Sequence, residues 1–258
     1  MTWSHDQYCD ALEAEVERFA ALIVDANMQA PVPLLDDVVD KTKPLSLANL
    51  TIHAGTMHRW ATKLVADRAQ APVSPRSLDL EVPADSAGYP GWLRAGGKRM
   101  LATFRAADPD GPTWAWGADK HTRFWSRRQL HETGIHRADV ERALKREPSF
   151  EPAIAVDGVD EFLENLACVT WKPGVQALKG SGSLHFHCTD AEGEWLIQLN
   201  PDGFTWEHGH AKGDVAVRAT AADLYLLIWG REKPPSPERF QTFGDQALLD
   251  RWIANSAI

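Results

Sequence analysis

The segment FWSRRQLHETGIHRADVERALK (124–145) decides the predicted fold of the first half of this 258-residue chain. Its apolar residues recur at helical spacing, which predicts a helix that begins near Thr122. Glu132 and His136 are four residues apart, so their side chains lie on one face of that helix. The same face includes Trp125, Gln129, Val140 and Ala143. A carboxylate within such a largely buried face requires a cation, a proton or strong hydrogen-bond donors.

Three further segments of the first half also predict helices. They cover about the first 28 residues, residues 46–69 with Ser46 as the N-cap, and Gly91–Ala107. Proline-containing stretches separate them, and proline ends helices. Four helices in series without intervening strand patterns favour a helical bundle.

His53 lies on the apolar face predicted for the second helix. Residues Leu50, Met57, Trp60 and Leu64 share that face. We therefore expect His53 to point into the bundle. His58 is about 140° from His53 around the helix, so we expect it near the edge of the bundle. His131 is displaced from His136 by the same angle, and we do not expect it to join a site.

Together, His53, Glu132 and His136 suit a divalent ion such as zinc, because imidazole nitrogen and carboxylate oxygen are common zinc ligands. Three protein ligands would leave one position open to water or substrate, as in catalytic sites. Simpler interpretations stay open. A single histidine on an apolar face is more often a hydrogen-bonded core residue, and Glu132 and His136 could form an ordinary hydrogen bond. These ligand types also admit nickel, manganese or iron.

The second half of the chain predicts a different architecture. A helical stretch at Val159–Thr170 is followed by four strand-like segments, which are SLHFHCTD (183–190), EWLIQLN (194–200), GFTWEHG (203–209) and DVAVRAT (214–220). The turns DAEGE and NPDG between them are typical of hairpins. Two helices complete the pattern, one opened by Thr220 and one in FGDQALLDRWIAN (243–255). We predict an α+β protein with a metal-binding four-helix bundle in residues 1–150 and a small α+β domain in residues 151–258.

Composition restricts the partners and the location. The net charge of -9 argues against attraction to nucleic acid or to anionic lipid. Apolar runs are too short to cross a membrane and no signal peptide is seen, so we expect a cytoplasmic protein. Cys9, Cys168 and Cys188 are widely spaced and odd in number, so we expect free, mostly buried thiols rather than disulfides or a thiolate metal site.

At the level of motifs, the chain resembles the mycothiol-dependent maleylpyruvate isomerase family, within the broader DinB-like metalloproteins. The likeness lies in LANLTIHAGTMHRWA (47–61), RRQLHETGIHRADVERAL (127–144), DVAVRATAADLYLLIWGRE (214–232) and GDQALLDRWIA (244–254). The segment 127–144 is the most specific of these. The resemblance implies a DinB-like four-helix domain followed by a sterol-carrier-like α+β domain.

In that family, one histidine of the second helix and a Glu/His pair of the fourth bind a divalent metal, usually zinc. By matching position, the resemblance implies that the ligands are His53, Glu132 and His136. It also implies mycothiol, a low-molecular-weight thiol of actinobacteria, as cofactor. The metal-bound thiolate would add to the cis double bond of maleylpyruvate, and elimination after rotation would give the trans product. The family's C-terminal arginine matches Arg231, which would bind a carboxylate of the anionic substrate.

One departure from the family pattern leaves the substrate open. The family usually has a P-x-C-P-x-W-like stretch before the second helix, whereas this chain has PLLDDVVDKTKPLS (33–46). The first alternative is a mycothiol S-transferase that detoxifies electrophiles. The second is a non-catalytic metal-bundle protein that binds a small ligand. A carboxylate clamp at Arg231 would favour the isomerase, and a wide cleft lined by Trp114, Trp116 and Trp125 would favour the transferase.

Basic residues surround the ligand-type pair in the fourth helix. We interpret them as solvated charges that pair with Asp139 and Glu141. They are Arg127, Arg128, Arg137 and Arg142.

Overall fold

The computed structural model describes residues 3–33, 45–232 and 238–256. These residues form two compact units, one from 3–33 and 45–148 and the other from 149–232 and 238–256. The first unit is helical, and the second combines helices with a five-stranded sheet. The α+β class predicted from the sequence is therefore confirmed. Within the described ranges, none of the helices has the length and apolar character needed to cross a membrane.

The first unit is a bundle of four helices, as predicted. They are α1 (His5–Leu22), α2 (Leu47–Ala66), α3 (Tyr89–Ala106) and α4 (Thr122–Ala143). Both α1 and α2 pack against α3 and α4. Ser46 caps α2 as predicted, since its hydroxyl accepts a 3.2 Å hydrogen bond from the backbone N–H of Asn49. The prediction for α1 was too long, because the chain leaves the helix after Leu22 and turns through a positive φ at Asp25.

Helix α2 turns a different face to the core than its apolar stripe predicted. His58 is fully buried, whereas the His53 side chain is 46% exposed. Met57 and Trp60 are only half-buried. The expectations that His53 points inward and that His58 lies at the edge were therefore wrong. The core face of α2 keeps the predicted leucines and adds small residues, which allow close helix packing, and the buried set includes Leu50, Ala54, Gly55, Ala61 and Leu64.

Helix α4 is covered on nearly every side, which the sequence did not predict. Arg128 and Arg137 are buried, so the interpretation of these two as solvated charges was wrong. The guanidinium of Arg137 donates to Glu15 of α1 at 2.5 Å and to Glu141 of α4. This buried ion pair joins α1 to α4. Burial is tolerated because each charge has an opposite partner.

The second unit contains the helices and strands that follow α4. In chain order they are α5 (Pro152–Leu166), α6 (Pro173–Gln176), β1 (Gly182–Cys188), β2 (Glu194–Asn200), β3 (Gly203–His208), β4 (Val215–Ala219), α7 (Ala221–Ile228), β5 (Gln241–Gly244) and α8 (Gln246–Ser256). The four predicted strands are present. The predicted helix at Val159–Thr170 was misplaced, because Pro152 sits in the first turn of α5, where proline is well tolerated.

The strand order in the sheet is β3-β2-β1-β4-β5. Antiparallel hairpins join β1 to β2 and β2 to β3, while β4 lies parallel to β1 and β5 lies antiparallel to β4. The sequence did not predict β5. Phe243 and Gly244, which we assigned to the last helix, belong to this short edge strand.

One face of the sheet forms the core of the second unit. Buried apolar residues alternate along the three central strands, namely Leu184, Phe186, Trp195, Ile197, Leu199, Val215 and Val217. Helices α7 and α8 both contact β1 and β4. The opposite face carries His185, His187 and Glu194, because successive strand residues point to opposite sides.

The end of α7 fixes the position of Arg231. Gly230 adopts a φ of 69°, which favours glycine, directly after the helix. The backbone N–H of Gly230 then donates to Leu227, and that of Arg231 donates to Leu226. These two bonds form a Schellman motif that ends the helix and turns Arg231 into a buried position.

Candidate metal centre

Three ligand-type side chains converge on the surface of the bundle between α2 and α4. The Nε2 atoms of His53 and His136 lie 3.3 and 3.1 Å from the same oxygen, Oε1 of Glu132. The two imidazole rings are perpendicular, with centroids 5.0 Å apart. One ligand atom from each residue lies within 4.8 Å of the other two. The structure thus brings together the three residues selected from the sequence.

Neighbouring residues of α4 fix the orientation of this cluster. Arg128 donates to the second oxygen of Glu132, Oε2, at 2.6 Å. Nδ1 of His136 lies 3.1 Å from Oδ2 of Asp139, which is fully buried. Glu132 therefore keeps Oε1, and His136 keeps Nε2, directed toward His53. A hydrogen bond from Nδ1 to a carboxylate is a common support for a metal-binding histidine.

Sequence reasoning missed both supporting residues. Arg128 precedes Glu132 by four positions and Asp139 follows His136 by three, and both spacings place side chains on adjacent turns. The signal was therefore present in the sequence. It was masked by the interpretation of the arginines and Asp139 as paired surface charges.

Electrostatics keep Glu132 ionised. Burial alone would raise the pKa of Glu132, but the Arg128 charge and the hydrogen bonds from His136 and His53 outweigh it and hold that pKa well below its usual value. Burial likewise works to lower the pKa of His136. The hydrogen bonds to Asp139 and Glu132 outweigh that effect and raise the pKa to about 9. Without a bound cation, His136 is thus protonated at neutral pH and adds its positive charge to that of Arg128 beside Glu132.

The other two histidines within α2 and α4 do not belong to this cluster. His58 and His131 are both buried, and neither belongs to a metal-type cluster in the described part of the chain. Nε2 of His58 lies 2.9 Å from the hydroxyl of Thr133. Burial, with Arg59 adding to the effect, lowers the pKa of His58 to about 3, so its ring is neutral.

Aromatic residues pack beside the cluster, and they include the three tryptophans that a cleft favouring the transferase would use. Trp125 is fully buried, and its Nε1 donates to the backbone carbonyl of Trp114 at 2.9 Å. Trp60 packs edge-on against Trp125 with centroids 5.1 Å apart. Trp116 is covered by the guanidinium of Arg128, whose carbon lies 5.1 Å from the ring centroid. Residues 34–44, which include most of the segment that departs from the family pattern, lie outside the described residues.

Arg231 belongs to the second unit, where it is buried rather than exposed at the surface. Its Nη1 donates to the carbonyl of Trp229 at 2.8 Å. Burial and the charge of Arg231 lower the pKa of Lys172, so two cationic side chains lie near each other.

The two buried cysteines of the chain, Cys9 and Cys188, are not reactive thiolates. Cys9 and Cys188 are free and buried, as expected, and Cys168 is free and half-buried. Burial raises the pKa of Cys9 to about 11 and that of Cys188 to about 12. Both therefore remain thiols at neutral pH.

Comparisons with known proteins agree with this architecture. A model described as the mycothiol maleylpyruvate isomerase N-terminal domain matches residues 9–141, and the MDMPI C-terminal domain matches residues 153–251. No curated protein matches the sequence. A crystal structure of mycothiol-dependent maleylpyruvate isomerase has a TM-score of 0.58 at 12% identity, and a histidine-to-alanine mutant structure has 0.57 at 11%. Each alignment covers 94% of this chain and 95% of the other.

At such low identity, the structural likeness shows the fold alone. The family models carry the assignment, because the N-terminal model by itself matches more than half of the sequence and the C-terminal model matches most of the rest. This chain belongs to the mycothiol maleylpyruvate isomerase family.

Proposed function

We propose that this chain is a metal-dependent isomerase that uses mycothiol and acts on maleylpyruvate or a similar small anionic acid with a cis double bond. The observation that supports it is the convergence of His53 Nε2, Glu132 Oε1 and His136 Nε2 on one point. Family membership supports the thiol cofactor and the type of reaction.

The residues present suit a divalent ion. Two imidazole nitrogens and one carboxylate oxygen are a usual donor set for catalytic zinc. The half-exposed His53 leaves the cluster accessible from solvent. When bound, the ion would supply a positive charge that lowers the pKa of a coordinated thiol.

The side chains of α4 would hold the ligands in place. Arg128 fixes one oxygen of Glu132 and leaves the other free as a donor. Asp139 accepts a hydrogen bond from Nδ1 of His136, which places the lone pair of that histidine on Nε2. On metal binding, His136 would release the proton that its raised pKa retains, so metal affinity should increase with pH.

An external thiol is consistent with the cysteines of the chain. The raised pKa values of Cys9 and Cys188 leave them protonated, and both side chains are buried. A thiolate nucleophile would therefore come from a cofactor rather than from these residues. Mycothiol is the thiol named in the matching family.

Arg231 is the proposed carboxylate-binding residue. A guanidinium matches the planar geometry of a carboxylate, and lysine does not replace it well. Replacing Arg231 with lysine should raise KM for the anionic substrate more than it lowers kcat. An unchanged KM would assign this residue a purely structural role.

The first experiment measures metal content and isomerase activity in the untagged full-length protein. His136→Ala should lose the metal of this site and the mycothiol-dependent conversion of maleylpyruvate. Asp139→Asn should retain the ligands but bind zinc about 10- to 100-fold more weakly. The control is His121→Ala, because His121 is a histidine of the same unit that also contacts a carboxylate, Asp119, and belongs to no metal-type cluster of the described residues.

The outcomes separate the proposals. Equal metal content in wild type, His136→Ala and the control would contradict the site. A metal-loaded protein that is inactive on maleylpyruvate but joins mycothiol to electrophiles would show the S-transferase instead. A metal-loaded protein that only binds the thiol would show the non-catalytic ligand binder.

A further inference from the structure

A second group of imidazole and carboxylate side chains lies on the polar face of the sheet in the second unit. One ligand-type atom from each of His185, Glu194 and His210 lies within 4.8 Å of the other two. Nδ1 of His210 is 3.1 Å from Oε2 of Glu194, and Nε2 of His185 is 3.6 Å from that same oxygen. His187 contacts the other carboxylate oxygen, Oε1, through its Nδ1.

The sheet register builds this group. His185 and His187 are two residues apart on β1, so both point to the same face. Glu194 lies opposite His187 in the antiparallel pairing with β2. The loop after β3 is joined to the same strand, because the backbone N–H of Gly209 donates to the carbonyl of Glu194 at 3.3 Å. This bond brings His210, the next residue, over the two strands.

A second, independent feature points to a missing partner at this position. The His185 side chain is only 7% exposed, and its Nε2 has no hydrogen-bond partner. That atom faces the carboxylate of Glu194 at a distance too long for a hydrogen bond. A buried polar atom without a partner costs free energy, which a cation between the nitrogen and the carboxylate would recover.

The protonation states suit metal ligands. Burial lowers the pKa of His185, so its ring is neutral and Nε2 can offer a lone pair. Burial works to raise the pKa of Glu194, but the hydrogen bonds from His187 and His210 outweigh it and lower that pKa. Glu194 is therefore ionised at neutral pH.

We propose that His185, Glu194 and His210 form a second divalent metal site, with His187 orienting the Glu194 carboxylate through its other oxygen. Two imidazoles with a single carboxylate favour zinc, nickel, cobalt or copper over calcium or magnesium, which prefer oxygen ligands. The ion would link β1, β2 and the loop that carries His210. This site would share no ligand with the proposed metal site of the first unit.

The test uses the full-length His136→Ala protein, in which the proposed site of the first unit is disabled. After removal of metal with a chelator, zinc is titrated against a chromophoric competitor. His136→Ala should still bind one equivalent, and adding His210→Ala should abolish that binding. His210 is the decisive position because its side chain is 83% exposed, so its replacement leaves the core of the unit intact.

Two further variants complete the design. Adding His185→Ala to His136→Ala should also remove the equivalent, with circular dichroism used to verify that the sheet is retained. Adding His121→Ala should leave it unchanged, because His121 belongs to the first unit. Zinc binding that survives the loss of both His185 and His210, or no zinc binding by His136→Ala itself, would overturn the proposal. The first site is tested separately, by the difference between wild type and His136→Ala.

Discussion

At the scale of single residues, the two carboxylate oxygens of Glu132 have different partners. Arg128 holds Oε2, while Oε1 faces two histidines. Helical spacing predicted that Glu132 and His136 lie together, because the four-residue separation determines that contact. It did not predict that His53 is half-exposed and His58 is buried. Angles around one helix do not specify which side its neighbours cover.

The buried His58 predicts a pH dependence of stability. Its pKa is about 3 in the folded protein and near 6.5 when unfolded, so between these values the unfolded chain binds more protons. The free energy of unfolding should therefore fall as pH decreases from 6.5, by at most about 1.4 kcal/mol per pH unit from this residue. Urea unfolding between pH 6.5 and about 4.5, with a chelator present, measures this slope.

The comparison is with His58→Gln, which can still pair with Thr133 but does not titrate. The slope of this variant should be smaller than that of the wild type over the same range. The other two shifted groups nearby do not interfere. The raised pKa of His136 adds a constant contribution below pH 6.5, and the lowered pKa of Glu132 matters only below its usual value of 4.5. Identical slopes in both proteins would show that folding does not lower the pKa of His58.

At the scale of elements, the sequence predicted the four helices of the bundle, four strands and three of the helices in the second unit, with α5 placed too late in the chain. Their apolar periodicity and capping residues are local signals. It missed β5, since Gln241–Gly244 is too short and too exposed to show alternation. It also missed the burial of Arg137, because the charge is balanced by Glu15 on a helix distant in sequence. The cluster of His185, Glu194 and His210 likewise depends on strand register, although an H-x-H pattern across a hairpin from a glutamate is a usable signal.

The contact of α1 with α4 predicts a large effect of Arg137. Replacing Arg137 with alanine leaves Glu15 buried without its main cation, and should cost about 3–5 kcal/mol of unfolding free energy. Replacing both Arg137 and Glu15 with methionine should cost less, since of the two carboxylates only Glu141, which also lies near Arg18, then loses Arg137 as its partner. Arg123→Ala removes two solvent-accessible ion pairs, with Asp110 and Asp119, and should cost about 1 kcal/mol. Urea unfolding of the four proteins measures these differences, and a double variant no more stable than Arg137→Ala would contradict the coupling.

At the scale of the whole molecule, the two units have separate cores, and the fold matches maleylpyruvate isomerase structures at 11–12% identity. Fold class follows from the order of helices and strands, which tolerates extensive change of sequence. The reaction depends on a few side chains, so it does not follow from the fold.

Net charge predicts the behaviour of the molecule toward nucleic acid. With -9 at neutral pH, we expect no binding to a short fluorescent DNA duplex even at low salt, where nonspecific binding is strongest. Fluorescence anisotropy measures this directly. A signal that rises with protein concentration and weakens with added salt would reveal a local basic surface that net charge conceals.

Helix α4 carries the side chains of the candidate site on one face and the buried ion pair of Arg137 on another. A genetic screen that scores only lost activity would therefore recover two kinds of α4 mutant. One kind would accumulate in cells as folded protein without a working site, and the other would be degraded because the bundle is destabilised. Measuring the soluble amount of each mutant protein would separate them and would assign each position of α4 to chemistry or to folding.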